Sequence, residues 1–249
     1  MIFEYSTNQI IAIFTIFFLS ATAKGVTGFG FSTMCLPFLA VTVGLKEALP
    51  LMLIPSVSTN LVMMYRAGRF GETLIRFWPM LAATVPGLAV GLWVLSLIDG
   101  LLAGAVLGGV LIAWSLFSYA NPRLLLPAAW ERPLGPVSGF LNGTVNGFTG
   151  SQVMPTVPYL MALQLDRNIF IQAINCSFTL SSLIMAVGLN RMGLFTRDAM
   201  IVSVVGTVLA FTGVRLGERI QHFLSPDVFR HALLAMLVFM GVSLMVRAF

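Results

Sequence analysis

A single lysine stands beside a run of glycines in an otherwise apolar stretch. Lys24-Gly25-Val26-Thr27-Gly28-Phe29-Gly30 follows the segment Ile10 to Leu19, and Ser32 and Thr33 come directly after it. A lysine at membrane depth calls for a counter-charge, which a bound anion supplies; the alternative is that it snorkels to a headgroup or bonds a carbonyl. Glycine lets a ligand approach the backbone closely. A helix that starts after the break presents unpaired N–H groups and about half a positive charge, which suits an anion. The pattern returns at Asn146-Gly147-Phe148-Thr149-Gly150, followed by Ser151 and Gln152. Candidate contacts are therefore Lys24, Gly25, Thr27, Gly28, Gly30, Ser32 and Thr33 at the first break. At the second they are Asn142, Asn146, Gly147, Thr149, Gly150, Ser151 and Gln152. Asn60, from the cluster Ser56, Ser58, Thr59, Asn60, and Asn175, from its counterpart Asn175, Ser177, Thr179, complete the set. Such uncharged groups hydrogen-bond an oxyanion, and they equally bond across helices for packing.

Other chemistries find no footing. The nine carboxylates, Glu4, Glu47, Glu72, Asp99, Glu131, Asp166, Asp198, Glu218 and Asp227, all fall at segment ends or in loops. Cation pumps and proton relays place acids within the span instead. Cys35 and Cys176 lie in apolar stretches without metal-ligand spacing, and His222 and His231 lie near loops. The glycines lack the preceding strand and the Lys-Ser/Thr of a phosphate-binding loop. No catalytic residue, metal or cofactor is expected.

The elements that must carry these residues are helices in a membrane. Only 9% of the 249 residues are charged and 58% are hydrophobic, with a mean hydropathy of +0.94. That is too little polar surface for a soluble enzyme or a nucleic-acid-binding domain. Apolar segments run roughly 8–23, 33–44, 47–65, 73–97 and 100–119, then 134–147, 153–164, 168–190, 197–216 and 227–247. The halves match: Lys24–Gly28 pairs with Asn146–Gly150, Pro37 with Pro158, Ile54–Thr59 with Ile174–Thr179, and Gly87/Gly91 with Gly213/Gly217. Matches in the same order mark a duplication. The expected units are a first repeat at 1–120, a linker at 121–133 and a second repeat at 134–249. The fold expected is an all-α polytopic membrane protein of two inverted repeats, about five segments each and eight to ten in total. The first two segments of each repeat read as short, broken by a Gly-rich tip that is either re-entrant or joins two spans. Gly135, Gly139, Gly143 and Gly147, and Gly100, Gly104 and Gly108, put small-residue stripes on helix faces, the signature of close helix packing.

The charge is +5, from 12 Arg and the two lysines Lys24 and Lys46, dispersed over loops. The positive-inside bias places the loop with Arg66, Arg69 and Arg76 in the cytoplasm, with Arg123, Arg132, Arg167, Arg215 and Arg219 on the same side. Both termini are then periplasmic, and only Arg191 and Arg197 fit poorly. The N-terminal segment carries Glu4 and no basic residue before it, which argues against a cleaved leader.

Lys24-Gly25-Val26-Thr27-Gly28-Phe29-Gly30-Phe31 with Pro37 resembles the first-half signature of the sulfite exporter TauE/SafE family, also called the toluene sulfonate uptake permease family. Gly147-x-x-Gly150 with Pro158, and Gly213-Val-Arg-Leu-Gly217-Glu-Arg219, look like its second repeat. One departure is Ser151-Gln152, where members commonly carry further glycines. The resemblance implies a bacterial inner-membrane transporter of sulfur-containing anions such as sulfite or sulfonates. The expected partners are a small anionic substrate and the lipid bilayer, not nucleic acid; the chain is monomeric or a homodimer. The mechanism expected is alternating access around a midplane site. An anion channel, or a non-transporting membrane subunit of a larger complex, are the readings set against it.

Overall fold

The computed structural model describes residues 4–120, 125–223 and 225–247. Asn121, Pro122 and Arg123, read above as linker and orientation signal, lie outside them. The described residues form ten α-helices: α1 Thr7–Thr27, α2 Phe31–Val43, α3 Leu45–Ala67, α4 Phe70–Leu97, α5 Gly100–Ala120, α6 Ala128–Thr149, α7 Thr156–Ala162, α8 Arg167–Arg191, α9 Arg197–Ile220 and α10 Pro226–Val246. No strand occurs among them. Six, namely α1, α3, α4, α5, α8 and α9, are long and apolar enough to cross a bilayer. The chain is thus a multi-pass membrane protein by length and composition.

Two boundaries differ from the sequence expectation, and both make the first segment of a half longer. Helix α1 has 21 residues, rising about 32 Å, against a hydrocarbon core of about 30 Å. It opens with a capping box of Ser6 and Gln9 and runs through Gly25 to a left-handed glycine cap at Gly28. Gly25 stays helical because α9 packs on it: a Cβ there would lie 2.9 Å from the Gly217 Cα. Helix α6 has 22 residues and begins at Ala128, inside the stretch read as linker. Pro133 and Pro136 free only the carbonyls of Ala129 and Arg132, four residues back. Both residues are exposed near the helix start, where water satisfies them. Only the second segment of each half is short, with 13 residues in α2 and 7 in α7.

Helix starts after the breaks also move. Helix α2 begins at Phe31, so Ser32 and Thr33 lie in its first turn. In the second half Ser151 and Gln152 precede no helix; residues 150–153 are irregular and α7 waits until Thr156. The amide of Asn142, oriented by its surroundings, donates to the carbonyls of Gln152 at 2.9 Å and Met154 at 3.0 Å. Those carbonyls are held out of any helix, and Pro155 disfavours a helical Met154.

Glycine faces set the packing. Gly87 and Gly91 of α4 meet Phe140, Thr144 and Gly147 of α6; Gly213 and Gly217 of α9 meet Phe18, Thr22 and Gly25 of α1. Ascending numbers meet ascending numbers, so each pair runs parallel. The two seams are equivalent position by position, with one swap. Gly139 of α6 receives Met80 of α4, whereas Gly206 of α9 receives Phe17 of α1. The other main pairings are α5 with α10, through Gly108 and Gly241, and α3 with α8. Helices α3 and α8 form the centre: 61% and 67% of their apolar windows are buried, against 33–44% in the other four spans.

Candidate functional site

Both breaks are built alike. The Gly28 N–H bonds the Lys24 carbonyl at 2.7 Å, and the Gly150 N–H bonds the Asn146 carbonyl at 2.7 Å. Both glycines are left-handed, with φ of 84° and 76°, a conformation that costs glycine little. The threonines just before them serve the backbone. Thr27 Oγ1 lies 2.6 Å from the Phe29 carbonyl and 3.0 Å from that of Ala23. Thr149 Oγ1 donates to the Val145 carbonyl at 2.6 Å and accepts from the Ser151 N–H at 3.1 Å. Asn142 and these two threonines therefore shape the breaks.

The central helices join the breaks. From the first, the Gly28 carbonyl accepts from Asn175 Nδ2 of α8 at 3.1 Å. From the second, Gln152 Nε2 donates to Ser182 Oγ of α8 at 3.0 Å. Asn175 and Ser182 are seven residues apart, about 10 Å along the helix. Gly150 in turn packs on Leu36 of α2 and Met52 of α3, and Gly28 packs on Ile171 of α8. Each half's break thus leans on a central helix of the other half. Around this seam lie buried polar side chains: Ser56, Thr59 and Asn60 on α3, and Gln172, Asn175, Ser177, Ser181 and Ser182 on α8.

Lys24 is completely buried within this set. Its ammonium donates to Asn60 Oδ1 and to Thr59 Oγ1, the latter at 3.2 Å. An ammonium has three donors, so one remains. Ion pairs among the described residues include Arg66–Glu218, Arg69–Glu72 and Arg76–Glu131, and Lys24 is in none of these. Asn146, which holds the same place before Gly150 that Lys24 holds before Gly28, is also completely buried, and neither Nδ2 nor Oδ1 has a hydrogen-bonding partner among the described residues. The same holds for Asn60 Nδ2, Ser151 Oγ, Gln152 Oε1, Asn175 Oδ1, Ser177 Oγ and Ser181 Oγ. Each such atom costs about 1–3 kcal/mol of desolvation. Thr33 Oγ1 is likewise unpartnered, while Ser32 bonds Ser56 across the helix pair at 2.8 Å.

Of the residues singled out from the sequence, Lys24, Asn60, Ser151, Gln152 and Asn175 carry side chains in or beside this seam, and Asn146 stands in the last turn of α6, directly before the second break. Gly25 and Gly147 are packing glycines against α9 and α4. Thr27, Gly30 and Thr33 line a cavity of about 420 Å³ that also takes Val153 from the second break. Sequence reasoning missed Gln172, Ser181 and Ser182, which lie on the polar α8 already flagged through Asn175. It also read Arg167 only as an orientation charge and assigned Arg230 no role; both line that cavity. Among the described residues no group of His, Cys, Asp or Glu could hold a metal ion.

Helices broken at membrane depth beside buried polar side chains are the build of membrane transport proteins. The family comparison agrees: residues 13–244 match the model of the sulfite exporter TauE/SafE family, and the chain belongs to that family of membrane transporters. No curated protein and no solved structure matches the chain.

Proposed function

We propose that this protein is a carrier for a small sulfur-containing oxyanion, sulfite or an organic sulfonate, which it binds in the seam between α3 and α8. The observation that carries the reading is the set of buried, unpartnered donors: Asn146 Nδ2, Asn60 Nδ2 and the hydroxyls of Ser151, Ser177 and Ser181. An anion accepts from the amide nitrogens and hydroxyls; the remaining Lys24 donor supplies charge without a competing carboxylate. Two breaks at the ends of one seam suit alternating access, each loosening in turn. Parallel packing of α1 on α9 and of α4 on α6 supports an inverted relation of the halves, since helices that alternate in direction reach those pairings only if the second half is flipped.

Binding to the purified protein tests this. Sulfite, sulfoacetate and taurine at a hundred times Kd stabilise the folded state by about 2.7 kcal/mol, and carboxylate analogues serve as controls. Lys24→Met, with expression confirmed, is expected to abolish that thermal shift. Unchanged affinity in the variant removes Lys24 from the site. Saturation and counterflow in liposomes separate a carrier from a channel.

A further inference from the structure

The cavity of about 420 Å³ between the first break and the α5–α10 pair holds two arginines that the polar seam does not use. Arg167 stands in the first turn of α8 and Arg230 near the start of α10. Arg167 donates to Gln221 Oε1 at 3.3 Å, and Arg230 donates to the Ser118 carbonyl. Each bond engages one terminal nitrogen, whereas a guanidinium carries five donors in a fork that matches an oxyanion. Among the described residues no carboxylate lines the cavity and neither arginine is in an ion pair. The rest of the wall is largely apolar, with Trp114, Leu233 and Leu234 facing Val26 and Met34. A three-oxygen inorganic anion needs the room of two or three waters, at about 30 Å³ each, so it leaves most of this space unfilled.

We infer that this cavity is a second binding site, distinct from the seam, for an amphiphilic oxyanion: an acidic head at Arg167 and Arg230 and a hydrocarbon or aromatic body along Trp114, Leu233 and Leu234. The head belongs either to a free organic anion or to an anionic lipid, which present the same chemistry. The occupant abuts Gly30 and Thr33, so it touches the first break and the start of α2.

Trp114 reports on the site directly. Trp78, Trp93 and Trp130 are 61%, 64% and 55% exposed, whereas Trp114 is 7% exposed. With the three exposed tryptophans changed to Phe, a bromoalkyl sulfonate is titrated into the protein in neutral detergent. Saturable quenching is expected, at least threefold tighter than for a bromoalkyl glucoside. Arg167→Gln weakens it about fivefold or more. Arg230→Gln does the same and Arg230→Lys restores part of the loss. Arg167 decides the matter, because Arg230 also holds α5 through Ser118. In nanodiscs, quenching by brominated phosphatidylglycerol but not phosphatidylcholine, displaced by the sulfonate, supports the site with a lipid as occupant. Quenching by the free sulfonate alone supports it with a soluble anion. Equal quenching by charged and neutral amphiphiles, or an Arg167→Gln titration like that of the parent, overturns the inference. Anion flux is measured separately in liposomes: quenching without flux sinks the transport reading and leaves this site standing, and flux without quenching does the reverse.

Discussion

Lys24 and Asn146 occupy equivalent positions, each bonding the N–H of a left-handed glycine through its own carbonyl, yet their side chains meet different surroundings. Lys24 faces Thr59 and Asn60 of α3. The positions 120 further on are Thr179 and Leu180, and Asn146 finds no partner there or elsewhere among the described residues. Removing an unsatisfied buried amide relieves a cost of about 1–3 kcal/mol if an apolar side chain of similar size replaces it. Asn146→Leu is therefore expected to leave the thermal unfolding midpoint unchanged or raised while lowering substrate flux in liposomes at least tenfold. A variant that unfolds earlier and loses flux only in proportion would assign Asn146 a packing role. Residues of this kind were legible beforehand because an amide or ammonium inside an apolar stretch stands out. Arg167 and Arg230 were not, since an arginine at a helix end has the same spacing whether it faces headgroups or a cavity. The orphan hydroxyl of Ser181 was hidden for a related reason: serine in a membrane helix usually bonds its own backbone, and only geometry shows that this one does not.

Glycine decides how close the helices come, and it decides differently at different positions. Gly25→Ala would set a Cβ 2.9 Å from the Gly217 Cα and 3.0 Å from the Glu218 backbone nitrogen, contacts with backbone that no rotamer can relieve. It is expected to cost about 1–3 kcal/mol, read as a lower unfolding midpoint in detergent. Gly109→Ala is the control. It is helical, with nothing within 4 Å of the added Cβ, and alanine there gains up to about 1 kcal/mol of helix propensity. An equal loss from both would show that the α1–α9 seam is not the tight one. The ten segments themselves were readable from hydropathy, and the packing role of Gly139, Gly143 and Gly147 from their spacing. The lengths of α1 and α6 were not. Gly25 looks like a helix end until α9 is seen against it, and Pro133 looks like a stop until the freed carbonyls are seen to be in water. The start of α7 was misplaced because Asn142, fourteen residues before Thr156, holds the intervening carbonyls away from a helix.

The molecule as a whole pairs its helices by exchange: α1 on α9 answers α6 on α4, α3 meets α8, and α5 meets α10. The two breaks lean on α8 and α3 across the exchange, so a movement of one half against the other acts on both at once. The carboxylates stay out of this machinery. Glu47, Glu72, Glu131 and Asp198 sit in first turns, and Glu218 in a last turn bound to Arg66. Among the described residues no acid stands in the interior of a span, and an anion crossing without a coupling proton would carry its own charge. An organic sulfonate is the suitable probe because it stays ionised at any working pH. With a potential of 100 mV, positive inside the vesicle, one negative charge gains about 2.3 kcal/mol, or about 50-fold accumulation. Liposomes holding this protein alone are expected to take up labelled sulfonate when a potassium gradient and valinomycin set that potential, and to ignore a pH gradient imposed in its place. Uptake that follows the pH gradient and is indifferent to the potential would mean that a titrating group is part of the cycle, and Lys24, the amine buried in the seam, would then be where to look for it.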